Sequence, residues 1–233
     1  MSDASSLEVL LGARRSAEVW LEASIRDLGP FSAPLFDEER FLSIFSSAGR
    51  LLGKASVALE ETDAARLEAG GIRWPIDGWG LDELGRVILL GRAFRDLSPS
   101  RAAALLEACY ARGDNRERQA VLRALPLLPE RARFVPLAIE ACRTNVLTVF
   151  CAIACENPLP ADEFPDLNFN QLVLKALFNG VALSRIVGLS KRAGPELARM
   201  AADYASERRA AGRSVPSDID LVLGSTANPG ATT

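Results

Sequence analysis

The chain has 233 residues, of which 48% are hydrophobic and 24% charged, so it is long enough to bury a sizeable core. Lys and Arg total 27 against 30 Asp and Glu, and no basic run is interleaved with aromatic residues, so we expect no nucleic-acid partner. Histidine is absent, which removes the commonest general base near neutral pH and the commonest metal ligand. Any catalysis would use carboxylates, Lys, Tyr, Cys or an external metal.

The compartment is inferred from the cysteines and from the apolar segments. The sequence starts with MSDASSLEV, which lacks the positive start and apolar run of a signal peptide. The longest strongly apolar stretch, 146–155, is too short for a bilayer, which needs about 20 residues. Four cysteines lie within apolar helical patterns, as expected in a reducing cytoplasm: Cys109, Cys142, Cys151 and Cys155. We therefore expect a cytoplasmic protein.

The amino-terminal part is predicted to be helical, with Gly and Pro at the helix ends. Ser5 and Glu8 form a predicted capping box for the first helix, which Gly29 and Pro30 end. A second helix is expected to start near Asp37. No segment shows the sustained period-2 alternation that a strand requires, so no sheet is expected.

A loop with two tryptophans follows, and after it comes a further helix. In the loop, 72–80, the rings of Trp74 and Trp79 are interpreted as anchors in preference to an aromatic wall for a ring or isoprenoid. The helix predicted over 81–94 pairs Asp82 with Arg86 at i+4.

From residue 98 the helix caps and stops become regular. Ser98 and Pro99 start a helix that Gly113 ends, and Asp114 with Glu117 caps the next one. A second pair is predicted over 129–144 and 145–156. The first helices of the two pairs share a short echo, Leu-Glu-Ala-Cys at 106–109 and Ile-Glu-Ala-Cys at 139–142, typical of a short helical repeat.

These patterns together predict an all-α fold, a single domain of antiparallel helical pairs with HEAT-like α-solenoid character. The domain is expected to cover 1–223. Within it we distinguish amino-terminal helices with the tryptophan loop at 1–97, two HEAT-like pairs at 98–156 and a third region at 157–223. The segment 224–233 has no apolar anchor and is expected to be a disordered tail.

The helix predicted within 167–180 is apolar on most of its circumference. On a wheel of about 100° per residue, one side holds Phe169, Leu172, Val173, Ala176 and Leu177. A second apolar strip holds Leu167, Leu174 and Phe178. Such a helix is expected to have neighbours on two faces.

A narrow polar stripe lies between the two apolar arcs, and Arg185 follows just beyond the helix. The stripe consists of Asn168, Gln171, Lys175 and Asn179. Three amides and two cationic groups together are suited to a phosphate or carboxylate, so we take these five residues as the candidate ligand site. The alternatives are a solvated stripe, or amides that satisfy the carbonyls of the loop at 157–160.

Other constellations are better explained without a functional site. Cys151 and Cys155 lie at i and i+4, but structural zinc needs four ligands, so we interpret them as buried thiols rather than a metal or redox pair. Asp162, Glu163 and Asp166 suit a helix amino terminus better than a magnesium site. No catalytic residues, metal site or cofactor are predicted, since no P-loop, GxGxxG, nucleophile elbow or HExxH occurs.

Five segments of the carboxyl-terminal part carry a family resemblance. They are NPLP at 157–160, FPDLNFNQLVLKALF at 164–178, LSRIVGL at 183–189, GPELAR at 194–199 and YASERRAAGR at 204–213. In this order they resemble the EboA family, densely over 157–216 and thinly before Trp79. Gly194 stands where the family pattern has Asn, which is a mild departure.

The resemblance implies an all-helical cytoplasmic protein encoded beside a membrane prenyltransferase and several metal-dependent or sugar-processing enzymes. Two functions remain open on this basis. The favoured one is a non-catalytic binding or scaffold protein of a prenylated-metabolite biosynthesis or transport pathway. The alternative is an enzyme of the same pathway acting on a phosphorylated or isoprenoid intermediate. The expected partners are proteins of the same gene set, including the prenyltransferase, and an anionic or isoprenoid small molecule.

Overall fold

A computed structural model describes residues 7–8, 15–31, 36–76 and 78–224. Within these ranges the regular structure is helical and no strand occurs, apart from one isolated antiparallel bridge between Ser56 and Gly80. The predicted all-α class is confirmed. The capping residue Ser5 and nearly all of the predicted tail, 225–233, lie outside the described residues.

The chain divides between Phe134 and Val135 into two compact units. The helices of the first unit are α1 (Arg15–Leu28), α2 (Glu38–Leu51), α3 (Glu61–Ala69), α4 (Leu81–Asp96), α5 (Pro99–Arg112) and α6 (Asn115–Ala124). Two 3-10 turns follow α6, Leu125–Leu127 and Arg131–Phe134. The predicted count of domains and the repeat-like character stay predictions.

The second unit contains seven helices within the described residues, and they differ in length. They are α7 (Val135–Ala141), α8 (Leu147–Ala154), α9 (Leu159–Glu163), α10 (Asp166–Phe178), α11 (Leu189–Arg192), α12 (Pro195–Ala210) and α13 (Asp220–Leu223). Two 3-10 turns, Leu183–Arg185 and Ser217–Ile219, connect them.

Helix α4 is the core of the first unit. Every residue from position 82 to 91 is buried, and the helix contacts α1, α2, α5 and α6. Gly85 permits this close packing, because a Cβ at this position would lie 2.5 Å from Leu52 Cδ1 and 2.9 Å from the ring of Trp20. Helix α4 is therefore enclosed on all sides over residues 82–91.

A buried ionic network joins α4 to its neighbours. Asp82, which is fully buried, accepts hydrogen bonds from Arg86 Nη1 at 2.8 Å and from Arg116 Nε at 2.8 Å. Arg86 Nε also donates to the Phe45 carbonyl of α2 at 2.9 Å, and its guanidinium lies near Glu117. The predicted pair of Asp82 and Arg86 is confirmed, and the structure adds that it lies in the core.

The pKa of Asp82 reflects this network. Burial would raise the pKa, but the hydrogen bonds and charges of Arg116 and Arg86 outweigh burial and lower the pKa below its ordinary value. The charged carboxylate is therefore the stable form within the folded unit.

The caps of the first unit agree with the sequence analysis. Asp114 accepts from the backbone of Arg116 and Glu117, and Glu117 reaches back to the Asp114 backbone, which completes the predicted capping box. Trp79 is buried under the guanidinium of Arg123, 5.7 Å from the ring centroid, as expected for a loop anchor.

Helix α10 differs from its prediction. Its first apolar side is buried, but the second strip is not, because Leu167 is 59% exposed and Phe178 is 72% exposed. The expected burial of the second strip is therefore wrong for Leu167 and Phe178. Helix α10 packs against α8, α12 and the turn at Leu183–Arg185, and these neighbours leave the two side chains exposed.

Asp82→Asn is expected to lower the free energy of unfolding of the first unit by about 3 kcal/mol or more at neutral pH, because it leaves Arg86 and Arg116 without their counter-charge. All three tryptophans, Trp20, Trp74 and Trp79, belong to this unit, so urea unfolding followed by tryptophan fluorescence measures it.

The pH dependence of the same variant gives a second readout. A lowered pKa means that the wild-type advantage is complete above the unfolded pKa, near 4, and shrinks as the pH falls through the folded pKa. Asp27→Asn removes a solvent-exposed pair with Arg40 and should have a much smaller effect. Equal losses in the two variants would contradict a special role of the buried network.

Candidate ligand-binding site

A cavity of about 300 Å³ lies in the second unit between α7 and α10. We call it the α10 cavity. Its lining combines apolar and polar side chains from both helices and from the end of α9: Ile139, Cys142, Arg143, Phe164, Asn168, Gln171, Leu172 and Lys175. An apolar floor with a few convergent polar groups is the usual composition of a small-molecule site.

Lys175 is held in place by the turn that follows α7. Its ammonium donates to the carbonyl oxygens of Cys142 and Thr144, both at 2.7 Å, and lies 5.4 Å from the centroid of the Phe150 ring. The carbonyls near a helix carboxyl terminus lack intrahelical partners, and Lys175 satisfies two of them. The half-buried ammonium is thereby fixed at the cavity wall.

The charge of Lys175 has no opposite charge beside it. No described carboxylate lies within 4.0 Å of its ammonium. Two other acids of this unit are paired with arginines, since Glu156 pairs with Arg185 and Asp203 pairs with Arg199. Neutral carbonyls satisfy two of the three N–H groups of Lys175, so one donor and the full positive charge remain available.

The amides of Asn168 and Gln171 lie on the same wall as Lys175. In the described part of the chain, neither side chain has a hydrogen-bond partner. They are therefore not used to satisfy the loop at 157–160, where Asn157 binds the backbone itself. Free amides beside an uncompensated ammonium present donors and acceptors to a ligand.

The other two predicted site residues lie in different surroundings. Asn179 is the exposed C-cap residue of α10, and Arg185 forms a two-pronged ion pair with Glu156 at 2.8 and 2.9 Å. Neither residue contributes to the lining of the α10 cavity. The structure thus brings together Asn168, Gln171 and Lys175, whereas the five-residue site as a whole stays a prediction.

Several lining residues were missed from the sequence because they come from α7 and from the end of α9. Ile139 and Arg143 are distant in sequence from α10, and a helical wheel carries no signal for such a partner. Cys142 belongs to the floor, where burial raises its pKa to about 12 despite the nearby charge of Lys175. Its thiol is therefore neutral and unreactive at physiological pH.

Three further features of the described residues bear on function. No group of three or more Cys, Asp or Glu side chains is arranged to hold a metal ion in this part of the chain. Asp166 lies in the first turn of α10 and pairs with Arg192 at 2.9 Å, as expected for a residue at a helix start. None of the described helices is both long and apolar enough to cross a membrane.

Fold and cavity define an all-helical protein with an amphiphilic, cation-bearing site. A family model described as "Metabolite traffic protein EboA" matches residues 9–224, nearly the whole chain. The chain therefore belongs to the EboA family. No curated protein and no solved structure matches it.

Lys175→Met should lower the free energy of unfolding of the second unit by about 1–3 kcal/mol, because two carbonyls lose a charged donor. Urea unfolding followed by far-ultraviolet circular dichroism measures this loss. Lys191→Met, at an exposed lysine of α11, is the matched control and should leave the stability unchanged. If both variants match the wild type, Lys175 extends into solvent and does not form the cavity wall.

Proposed function

We propose that the chain is a non-catalytic binding protein for an amphiphilic anion, held in the α10 cavity. The apolar part of the ligand packs on Ile139, Phe164 and Leu172, and its anionic group lies at Lys175. The amides of Asn168 and Gln171 orient the anionic group. The observation that carries the proposal is the ammonium of Lys175, which is fixed by carbonyls yet has no described carboxylate within 4.0 Å.

Electrostatics supports an anionic ligand over a neutral one. A half-buried cation without an opposite charge is unfavourable, and a ligand phosphate or carboxylate relieves this cost through a charge-assisted hydrogen bond. The nearby Arg143 is exposed and pairs with Glu140 at 2.7 Å, so it is a second but weaker source of positive charge. The apolar floor favours a ligand that also carries a hydrocarbon group.

The size of the cavity limits the hydrocarbon group. At about 300 Å³ it lies at the lower end of the range of about 300–1,000 Å³ typical of ligand sites. A short prenyl group fits this limit better than a long one. A family described as metabolite traffic proteins also fits a carrier or binding role.

We also propose a compartment, a pathway and partners for the protein. It acts in the cytoplasm, within a prenylated-metabolite pathway, and presents helical pairs of HEAT-like character to proteins of the same gene set. A membrane prenyltransferase is the partner that supplies or receives the ligand. Helical pairs commonly build such recognition surfaces, and the hairpin of α5 and α6 is the clearest pair.

Isothermal titration with three matched probes tests the ligand class. Geranyl diphosphate carries both a prenyl group and an anion, geraniol carries the prenyl group alone, and inorganic pyrophosphate carries the anion alone. We expect geranyl diphosphate to bind at least about tenfold more tightly than either fragment, because both parts of the cavity contribute. Equal affinity for pyrophosphate and geranyl diphosphate would mean that the apolar floor does not bind the prenyl group. No binding by any probe would overturn the proposal.

Gln171→Glu should weaken geranyl diphosphate binding by about fivefold. The new carboxylate lies four residues before Lys175 on the same helix face and offsets its charge. Asn179→Asp adds the same charge at the exposed C-cap, outside the cavity lining, and should have little effect. Equal losses in both variants would place the anion nearer the carboxyl end of α10.

Mass spectrometry of the recovered probe checks for turnover, which would instead favour an enzyme.

A further inference from the structure

A second cluster of reactive groups lies in the second unit, outside the α10 cavity. It consists of Cys151, Cys155, Glu156 and Arg185, and we call it the thiol cluster. Cys151 lies on α8 and is half-buried, and Cys155 follows the last residue of that helix and is buried. The Cys155 backbone N–H donates to the Cys151 carbonyl at 2.9 Å, so the two residues keep the i, i+4 spacing of a helical turn.

Arg185 is fixed beside the two thiols by Glu156. Its Nε and Nη2 atoms donate to the Glu156 carboxylate at 2.8 and 2.9 Å, and the Glu156 backbone N–H donates to the Arg185 carbonyl at 2.9 Å. These three bonds join the end of α8 to the turn at Leu183–Arg185. The guanidinium therefore has a defined position rather than a mobile one.

The backbone at Glu156 is strained where this contact forms. Its φ of 46° lies in the left-handed region, which non-glycine residues seldom adopt. Such a conformation is unfavourable and persists only where the surrounding structure enforces it. Here the enforcing contacts are the ones that position Arg185 against the thiols.

The two thiols differ in protonation. The hydrogen bond from Cys155 is the main cause that lowers the pKa of Cys151 to about 7, with help from the charge of Arg185 and against burial and Glu156. The same hydrogen bond, together with burial, raises the pKa of Cys155. At neutral pH a substantial fraction of Cys151 is therefore thiolate, whereas Cys155 stays protonated.

The other two cysteines lack these features. Burial raises the pKa of Cys109 and brings that of Cys142 to about 12, and neither has a thiol partner. Burial is the largest influence on the pKa of Cys142, whereas at Cys151 the partner thiol and the guanidinium outweigh burial. Cys151, interpreted from the sequence as a buried thiol, is half-buried in the structure.

We infer that Cys151 and Cys155 form a reversible thiol-oxidation site, in which Cys151 reacts with a hydroperoxide and Cys155 resolves the product to a disulfide. The Cys151 thiolate attacks the terminal oxygen of the hydroperoxide, the O–O bond breaks, and an alcohol or water leaves after protonation. Cys151 is then a sulfenic acid. The sulfur of Cys155 attacks the Cys151 sulfur, an S–S bond forms as the S–O bond of the sulfenic acid breaks, and the hydroxyl group leaves as water with the Cys155 proton.

The two electrons lost by the dithiol are gained by the hydroperoxide, and a cellular thiol can return the disulfide to the dithiol by exchange. The geometry of the helix permits the bond. Residues four apart on a helix have Cα atoms about 6 Å apart, within the range of about 4.4–6.8 Å found for disulfides. Cys155 has an extended backbone, φ −111° and ψ 142°, and lies past the helix end, where the chain can adjust.

The reduced full-length chain tests the thiolate directly, without a variant. Alkylation by iodoacetamide, followed by peptide mass spectrometry, gives a separate rate for each cysteine. At neutral pH we expect Cys151 to react at least about tenfold faster than Cys142, because its thiolate fraction is far larger. The rate at Cys151 should rise with the pH and level off once the pH is well above the pKa of about 7. Equal rates for Cys151 and Cys142 would overturn the inference.

Oxidation by stoichiometric hydrogen peroxide tests the second step. We expect a product lighter by two hydrogen atoms, with a peptide bridge between Cys151 and Cys155 that a thiol reductant removes. In Cys155→Ser the sulfenic acid should persist at Cys151 and be trapped by dimedone. The matched control, Cys109→Ser, should form the bridge as the wild type does. A bridge that involves another cysteine, or no bridge while Cys151 is oxidised, would overturn the role given to Cys155.

Discussion

The buried carboxylate of Asp82 is the constraint on which the first unit depends. It lies in the first turn of α4 with no exposed surface, so it is stable only while guanidinium groups are held against it. Arg86 supplies one from the same helix and ties α2 in through the Phe45 carbonyl, and Arg116 supplies the other from α6. Three helices thus have to meet around one charge. The apolar packing of α4 provides most of the burial, and the ionic network fixes which neighbours take part.

In the second unit, two partly buried cations are stabilised by backbone carbonyls. Arg192 donates to the carbonyls of Ala161 and Phe164 and lies 4.8 Å from the centroid of the Phe169 ring. Lys175 does the same at the end of α7 with Phe150 as its aromatic neighbour. The two cations differ in charge balance. Arg192 also pairs with Asp166, whereas Lys175 has no such partner in the described residues. This imbalance, rather than the hydrogen bonds, distinguishes a candidate site from a structural contact.

Local patterns were predictable from the sequence, and long-range partners were not. The capping box at Asp114 and the pair of Asp82 with Arg86 depend on residues three or four apart, so helical spacing alone reveals them. The buried side of α10 was also correct. The exposure of Phe178 was not predicted, because an apolar strip on a helix does not show how many neighbouring elements pack against it. Likewise the polar stripe indicated a wall of the cavity, but its opposite wall comes from α7.

Charge and geometry assign Lys175 and Arg185 to two different sites, the α10 cavity and the thiol cluster, although the sequence suggested a single site. Lys175 and Arg185 were grouped because both are cationic, Lys175 within the polar stripe and Arg185 just beyond the helix. In the structure Glu156 neutralises most of the charge of Arg185, which makes Arg185 a poor anchor for a free anion. The same pairing gives the guanidinium a fixed place beside Cys151, where its remaining field acts on a sulfur instead. A substitution at Gln171 alters the charge near Lys175, and one at Cys155 removes the donor to Cys151. Ligand binding and thiol reactivity can therefore be changed one at a time.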